Sequence, residues 1–487
     1  MSPKTRNTTV RMALVVCCVA FVAPLSAKPI MPQWCELRTA EFEMYSAMPK
    51  RQMVTLARSL QALHSIAVDF VPGEFPKRSL LKIVAFEDID AFVAEFQSDE
   101  FIGFMQPSMR QHVLAFGLAV HTTHPNQVAY HEYTHYISRS RYDIFIPMWY
   151  EEGFAQYLGM VDISDDRATI GEVSHRRMIR AIRRNEPKWR TIVDGVPRLD
   201  WHEHDYAAHY EFAHALTHFL HHGYDADGNA MRDKVDGILI DISNGAKPSE
   251  LLPRVAGVES DRFMRTLVDH FRKTRPLSYR IDIDVDSLSP VGEPQCMSEL
   301  DARILLASLL VRNNPDRAMY HIDRGMKIDA EHPMFQVLLS YVPALDSKTP
   351  YERTMIALER DPKNVDANIR MGDLLSYNCL DVFTDECANL RRIATQHYRH
   401  ALNGDPMRVD AAFGLGVSLL RSARAGDGLN YLKVAYERLP WNARINLFLG
   451  DAYRQIGNNN KASFHLNRAI MWEIEEAVRQ QAIEMMN

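Results

Sequence analysis

The feature that most constrains this chain is a 34-residue period in its C-terminal part. Gly416 and Gly450 stand 34 residues apart, as do Leu415 and Leu449, and Ala401, Ala435 and Ala469 recur at that interval. Pro406 and Pro440 keep the same register. At this length each unit is one helix pair, too small to bury its own apolar face, so neighbours must stack and small residues mark where helices touch. An earlier unit contains Met371-Gly372 and ends at Ala401; it is ten residues longer, and the surplus holds Cys379 and Cys387. Further upstream, Ala357 with Pro362 fits one unit and Ala318 with Gly325 a degenerate one, which predicts four or five units.

Over about residues 297–476 this pattern resembles the tetratricopeptide repeat, with Leu449, Gly450, Tyr453, Ala462, Leu466 and Ala469 carrying the match in the last full unit. The resemblance implies an all-α solenoid over 297–487 whose concave surface binds a protein partner. The periodicity stops between Thr274 and Pro294, where Pro276, Ser278, Ser287, Ser289, Pro290, Gly292 and Pro294 predict an extended linker over 274–296. Residues 28–273 mix β-like runs such as Leu81–Phe86 and His112–Phe116 with helical spacing from Arg51 to Leu63, the pattern of an α+β domain. A chain of 487 residues is too long for one growing core, in keeping with two folded parts.

The N-terminus reads as a secretory signal. Lys4, Arg6 and Arg11 precede an apolar run from Met12 to Ala23, and Pro24-Leu25-Ser26-Ala27 offers small residues before a cut after Ala27. The run is short for about 30 Å of hydrocarbon, so residues 1–27 are expected to be removed, leaving a periplasmic or secreted protein with no stable membrane span. Cys35, Cys296, Cys379 and Cys387 then remain in an oxidising compartment. Four cysteines allow three pairings. The preferred one joins Cys379 to Cys387, closing a short loop, and Cys35 to Cys296, tying the mature N-terminus to the end of the first domain; four buried thiols are the alternative. A formal net charge of -6 gives no indication of a nucleic-acid partner. The dense basic run Arg176, Arg177, Arg180, Arg183, Arg184, Lys188 and Arg190 alternates with Met178, Ile179 and Ile182, as expected of a helix with one solvated face.

Chemistry concentrates in His131-Glu132-Tyr133-Thr134-His135. On a helix, His131 and His135 at i and i+4 share one face and can reach one tetrahedral Zn²⁺. Glu132 stands beside the pair, where its carboxylate can hold a water next to the metal and take its proton. With 20 histidines in the chain the five residues alone do not decide the matter. The run from Pro147 to Tyr157 supplies a third ligand: sixteen residues separate His135 from Glu152, enough for a second helix to return a carboxylate to the open side of the pair. A His₂Glu set leaves one position free, the mark of a catalytic rather than a structural zinc site.

Pro147-Met148-Trp149-Tyr150-Glu151-Glu152-Gly153-Phe154-Ala155-Gln156-Tyr157 resembles the P-x-W-x-x-E-G-x-A-x-Y element of gluzincin zinc peptidases, and more closely the peptidase-MA-like domains of exported bacterial proteins. The resemblance implies that Glu152 is the third ligand, with Glu151, where relatives often carry Asn, as runner-up or supporting carboxylate. Gln156 departs from the Glu of many relatives. The run Tyr210-Glu211-Phe212-Ala213-His214-Ala215-Leu216 resembles the later helix that presents a Tyr to the substrate carbonyl, which implies Tyr210 as oxyanion donor. Phe212-Ala213 stands where relatives have Lys-Gly, so Tyr206 is the alternative donor. The Gly-x-Met-Glu-Asn run of aminopeptidases is absent; its nearest approach, Gly103-Phe104-Met105-Gln106-Pro107, lacks the Glu, against N-terminal exopeptidase activity.

The remaining histidines of that region, His202, His204, His209, His214, His218, His221 and His222, include i, i+4 pairs such as His214 with His218, but within that helix only Glu211 could support the pair and no Cys is near, so surface and packing roles are expected. The strand His112–Phe116 is a candidate sheet edge on which an extended peptide could lie. Together these readings predict an α+β zincin-like catalytic domain followed by an all-α tetratricopeptide-type solenoid. The expected function is an exported zinc metallopeptidase with a peptide or protein substrate and a protein partner on the repeats. The rival is a non-catalytic periplasmic scaffold with a vestigial or structural zinc fold.

Overall fold

The computed structural model describes residues 31–486 apart from 72–80, 98–100, 107–108, 110–111, 123, 142–143, 145, 165, 196–202, 273–277, 343–347, 378, 380–381, 383 and 473–475. The expected leader, residues 1–27, lies outside the described residues. Everything from Gln33 to Asn487 belongs to one unit.

The apolar runs foreseen as strands are buried along nearly their whole length, as in strands covered on both faces. In chain order the strands are β1 (Cys35–Arg38), β2 (Phe42–Ser46), β3 (Leu81–Phe86), β4 (Gly103–Gln106) and β5 (Val113–Gly117). Next come β6 (Asp162–Ser164), β7 (Arg167–Ile170), β8 (Tyr279–Asp282) and β9 (Gln295–Cys296). The main sheet runs in the order β4-β5-β3-β2-β1-β9, and β6-β7-β8 form a second, smaller sheet. The pairs β2–β3 and β3–β5 are parallel, while β4 is antiparallel to β5 with Gly103 opposite Phe116 and Met105 opposite Leu114.

Two expectations change here. The run beginning at His112 is not the sheet edge: β5 has a neighbour on each side, and β4 is the outer strand. The stretch 274–296 is more than a connection, since β8 pairs with β7, β9 pairs with β1, and Cys35 lies opposite Cys296. The alternation Tyr279-Arg280-Ile281-Asp282 is the strand signal hidden among its Pro and Ser residues. The disulfides are Cys35–Cys296 and Cys379–Cys387, the preferred pairing.

Helices α1 (Lys50–Val68), α2 (Ile89–Phe96), α3 (Gln127–Arg141) and α4 (Met148–Gly159) carry or support the site. Helix α1 buries Met53, Leu56, Leu60, Leu63 and Ile66 at helical spacing, and His64 Nδ1 meets Tyr133 Oη of α3 at 3.0 Å. They are followed by α5 (His175–Asn185), α6 (Trp189–Asp194), α7 (Glu203–His222), α8 (Val235–Ser243), α9 (Pro248–Val255) and α10 (Phe263–Arg272). On α5 the basic residues are exposed while Met178, Ala181 and Ile182 are buried, the solvated face read from the spacing.

The repeats follow as helix pairs: α11 (Glu299–Leu310) with α12 (Pro315–Met326), α13 (Pro333–Leu339) with α14 (Pro350–Arg360), and α15 (Val365–Tyr377) with α16 (Asp385–Gly404). Then come α17 (Val409–Leu420) with α18 (Ala425–Arg438), α19 (Ala443–Gln455) with α20 (Asn459–Trp472), and a last helix α21 (Glu476–Met486). The 34-residue period has a direct steric cause. A Cβ at Gly416 would lie 2.8 Å from Leu432 Cγ, and one at Gly450 would lie 2.6 Å from Leu466 Cγ, so each repeated glycine marks where the first helix of a unit presses on the second. Ala401, Ala435 and Ala469 are fully buried.

Candidate metal centre

Helix α3 places His131 and His135 one turn apart, and both present Nε2 to Glu152 of α4. The His131 and His135 Nε2 atoms are 3.2 Å apart, and each lies 3.5 Å from Glu152 Oε2. Three ligands held about 2.0 to 2.1 Å from one ion at tetrahedral angles would be roughly 3.3 to 3.4 Å from each other, so this triangle has the size a Zn²⁺ site needs. Among the described residues it is the one group of three such side chains close enough to share an ion. Glu152 Oε2 is buried and, among the described residues, has as its polar neighbours the two imidazole nitrogens at 3.5 Å, so three donor atoms converge on one point out of solvent. The residues present therefore fit a divalent ion.

The spacing of α4 against its neighbours explains the Glu-Gly pair. A Cβ on Gly153 would lie 2.4 Å from the Ala213 carbonyl oxygen and 2.3 Å from Thr217 Oγ1, so α7 crosses α4 in near contact directly after Glu152. At the far end of α4, Gly159 faces His131, whose Cα would be 3.7 Å from an added Cβ. Trp149, Tyr150, Phe154 and Tyr157 of α4 are almost wholly buried, which fixes the helix that carries the carboxylate.

Glu151 is a supporting carboxylate, not a member of the triangle. Its Oε1 lies 3.2 Å from His135 Nδ1 and also accepts a hydrogen bond from Arg139 Nε. Arg139 is one turn beyond His135, so the spacing His131, His135, Arg139 puts all three on one helix face, a signal present in the sequence. Burial disfavours ionised Glu151, but Arg139 and the His135 bond overcome this and hold it down to about 2. Burial likewise disfavours the charged His135 imidazole, yet the Glu152 and Glu151 carboxylates raise it to about 10. Glu152 is depressed for the reciprocal reason, its two imidazole neighbours outweighing burial.

Glu132, half-buried beside His131, faces the sheet edge: its Cγ would be 3.3 Å from a Cβ on Gly103 of β4. The Gly103-Phe104-Met105-Gln106 run, singled out for its missing Glu, is therefore the edge strand next to the candidate base. Tyr210 is half-buried on α7, one turn before Ala213 and hence on the face that crosses α4. The side chain of the alternative donor, Tyr206, lies outside the described residues.

On α7, His209, His214, His218 and His221 are buried and His222 is half-buried. His218 donates from Nε2 to the Gly171 carbonyl and bonds His270 through Nδ1, each at 3.0 Å. His221 Nε2 meets Tyr150 Oη at 3.1 Å and His222 Nε2 meets Tyr157 Oη at 2.9 Å. They fasten α7 to α4, to α10 and to the end of β7. His209 and His214 are held to about 4 and about 3, chiefly by burial.

No known family model and no curated protein matches the chain. Solved structures do. The thermophilic TPR protein TTC0263 of Thermus thermophilus is 15% identical over 38% of this chain and 98% of its own, with a TM-score of 0.31. PilF of Pseudomonas aeruginosa is 17% identical over 38% and 88%, with a TM-score of 0.31. YrrB, a TPR protein with an unusual peptide-binding site, is 19% identical over 37% and 90%, with a TM-score of 0.29.

Proposed function

We propose that this chain is an exported zinc metallopeptidase of gluzincin type, in which His131, His135 and Glu152 hold the metal, Glu132 is the general base and Tyr210 the oxyanion donor. The observation that carries the reading is the triangle of His131 Nε2, His135 Nε2 and Glu152 Oε2, with edges of 3.2, 3.5 and 3.5 Å, beside a carboxylate that faces a sheet edge. Zinc, when bound, supplies Lewis acidity that polarises a peptide carbonyl and makes water acidic enough to lose a proton near neutral pH.

The chain's own groups do the rest. The outer edge of β4 offers main-chain hydrogen bonds to an extended peptide, which orients the scissile bond without reading its sequence. Glu132 takes the proton from the attacking water and delivers it to the leaving amine. Tyr210 donates to the oxyanion of the tetrahedral intermediate, a contact worth roughly 3 to 4 kcal/mol where one such donor is removed. Glu151, tied to Arg139, fixes the His135 ring from behind. Export is supported by the leader-like N-terminus and by two disulfides, and no described helix is long and apolar enough to cross a membrane. The repeats remain candidates for binding a protein partner.

The test is Glu132→Gln in the mature chain, with casein and a peptide library as substrates. Full zinc content with turnover abolished is expected. Undiminished turnover removes Glu132 from the mechanism, and an inert wild type leaves the repeat-scaffold alternative.

A further inference from the structure

Contacts among the described residues join the repeats to the segments on either side of the outer strand of the main sheet. Near the end of α2, Glu95 accepts hydrogen bonds from Arg317 Nε at 2.8 Å, from Arg317 Nη2 at 2.9 Å and from His321 Nε2 at 2.9 Å, all on α12. The Glu95 and His321 side chains are only 15% and 3% exposed, so the contact is largely shielded from solvent. The second contact follows β4. The Met109 carbonyl accepts from the amide of Asp410 at the start of α17 at 3.0 Å, and the Met109 side chain packs on the apolar cluster of α17 to α19 together with Phe413 and Trp441. Next to it the buried His112 ring lies between two others: Trp441 at 5.4 Å and Tyr136 at 5.9 Å. Tyr136 is the residue after His135 on the metal-bearing helix.

These contacts bracket one segment. Helix α2, β4 and β5 are consecutive, and β4 is four residues long, with β5 its one partner in the sheet among the described residues. So short an outer strand has little of its own to keep it in place, since among the described residues it has ladder pairing on one side alone. Both of its flanks are instead fixed to the repeats, at Glu95 before it and at Met109 and His112 after it.

We propose that the repeat array positions the substrate-binding edge: Arg317 and Trp441 are positioning residues that hold β4 beside Glu132, and Trp441, His112 and Tyr136 join the repeats to the metal helix. The role of β4 in holding peptide rests on the peptidase reading; the mechanical link between repeats and strand does not.

The experiment uses the full mature chain and its Arg317→Ala, Arg317→Lys, Trp441→Ala and Glu95→Gln variants. Hydrogen exchange of the 101–106 and 113–117 amides, zinc content, and KM and kcat on one peptide are measured together. In Arg317→Ala, exchange in 101–106 is expected to quicken about tenfold and KM to rise about tenfold, the scale of losing a hydrogen bond to a charged group; Trp441→Ala, which removes ring packing on His112, is expected to quicken the same amides. In Arg317→Ala zinc content and kcat should hold, and Arg317→Lys should recover part of both changes. Glu95→Gln, which hardly alters volume, decides the case if the alanine variants misfold. Unchanged exchange in 101–106 in every folded variant overturns the proposal. Quickened exchange in a chain that has no peptidase activity upholds the link and rejects the catalytic reading instead.

Discussion

At Gly153 a single added methyl group should disturb both the packing and the candidate metal centre. A Cβ there would sit 2.3 Å from Thr217 Oγ1, 2.4 Å from the Ala213 carbonyl oxygen and 2.7 Å from the Ala213 carbonyl carbon. The threonine can rotate away, but the Ala213 backbone cannot, so α4 and α7 must separate by about 1 Å to reach ordinary contact. Both helices are embedded in the core through Tyr150, Phe154, Phe212, Leu216 and Phe219, and each of these loses contact if they part. Overpacking of this kind costs about 1 to 3 kcal/mol, and a backbone obstacle puts Gly153→Ala at the upper end, about 3 kcal/mol. Glu152 shifts with the helix, so zinc affinity should fall as well. The control is Gly237→Ala on α8, where an added Cβ meets nothing within 4 Å. There the helix gains roughly 0.5 to 1 kcal/mol. Urea unfolding followed by tryptophan fluorescence, paired with zinc titration, reads both. A Gly153→Ala chain as stable as the parent, with undiminished zinc affinity, would refute the close crossing that we hold responsible for placing Glu152.

Glu151→Ala separates the supporting carboxylate from the ligand. Zinc affinity measured against a chelator should fall about 10- to 100-fold while one ion still binds at saturation. The Glu95 contact predicts a pH dependence. Burial alone would raise this carboxyl, but the bonds from His321 and Arg317 hold it at about 2, against an ordinary value of 4.5. Because the folded value is the lower one, the stabilisation is complete above about pH 4.5 and is lost as pH falls through about 2. Glu95→Gln should therefore trail the parent by about 3 kcal/mol at neutral pH, and the gap should close in acid; a gap independent of pH would argue against the ion pair.

Much of the site was legible because it depends on short-range spacing. His131 and His135 share a face by helical geometry, and Glu152 follows at a distance that a helix hairpin can close. The repeats were legible because Gly416 and Gly450 answer to one steric need repeated along the chain. The sheet edge was harder. Val113 to Phe116 is a near-continuous apolar run, which signals a strand covered on both faces, whereas the true edge, Gly103 to Gln106, is too short and mixed to stand out. The second sheet was masked by Ser and Pro around Tyr279 to Asp282. His112 could be read as the head of a strand, but its ring neighbours could not, since Trp441 and Tyr136 come from distant parts of the chain and meet it only through tertiary packing.

Whether His131, His135 and Glu152 bind one catalytic metal ion is tested most directly by zinc binding to the purified chain from residue 28 onward. Equilibrium dialysis with elemental analysis should find one zinc per chain in the parent and in Glu132→Gln, and strongly reduced binding in His135→Ala and Glu152→Ala. A parent that takes up no zinc, or a Glu152→Ala variant that binds it as tightly as the parent, would contradict the account.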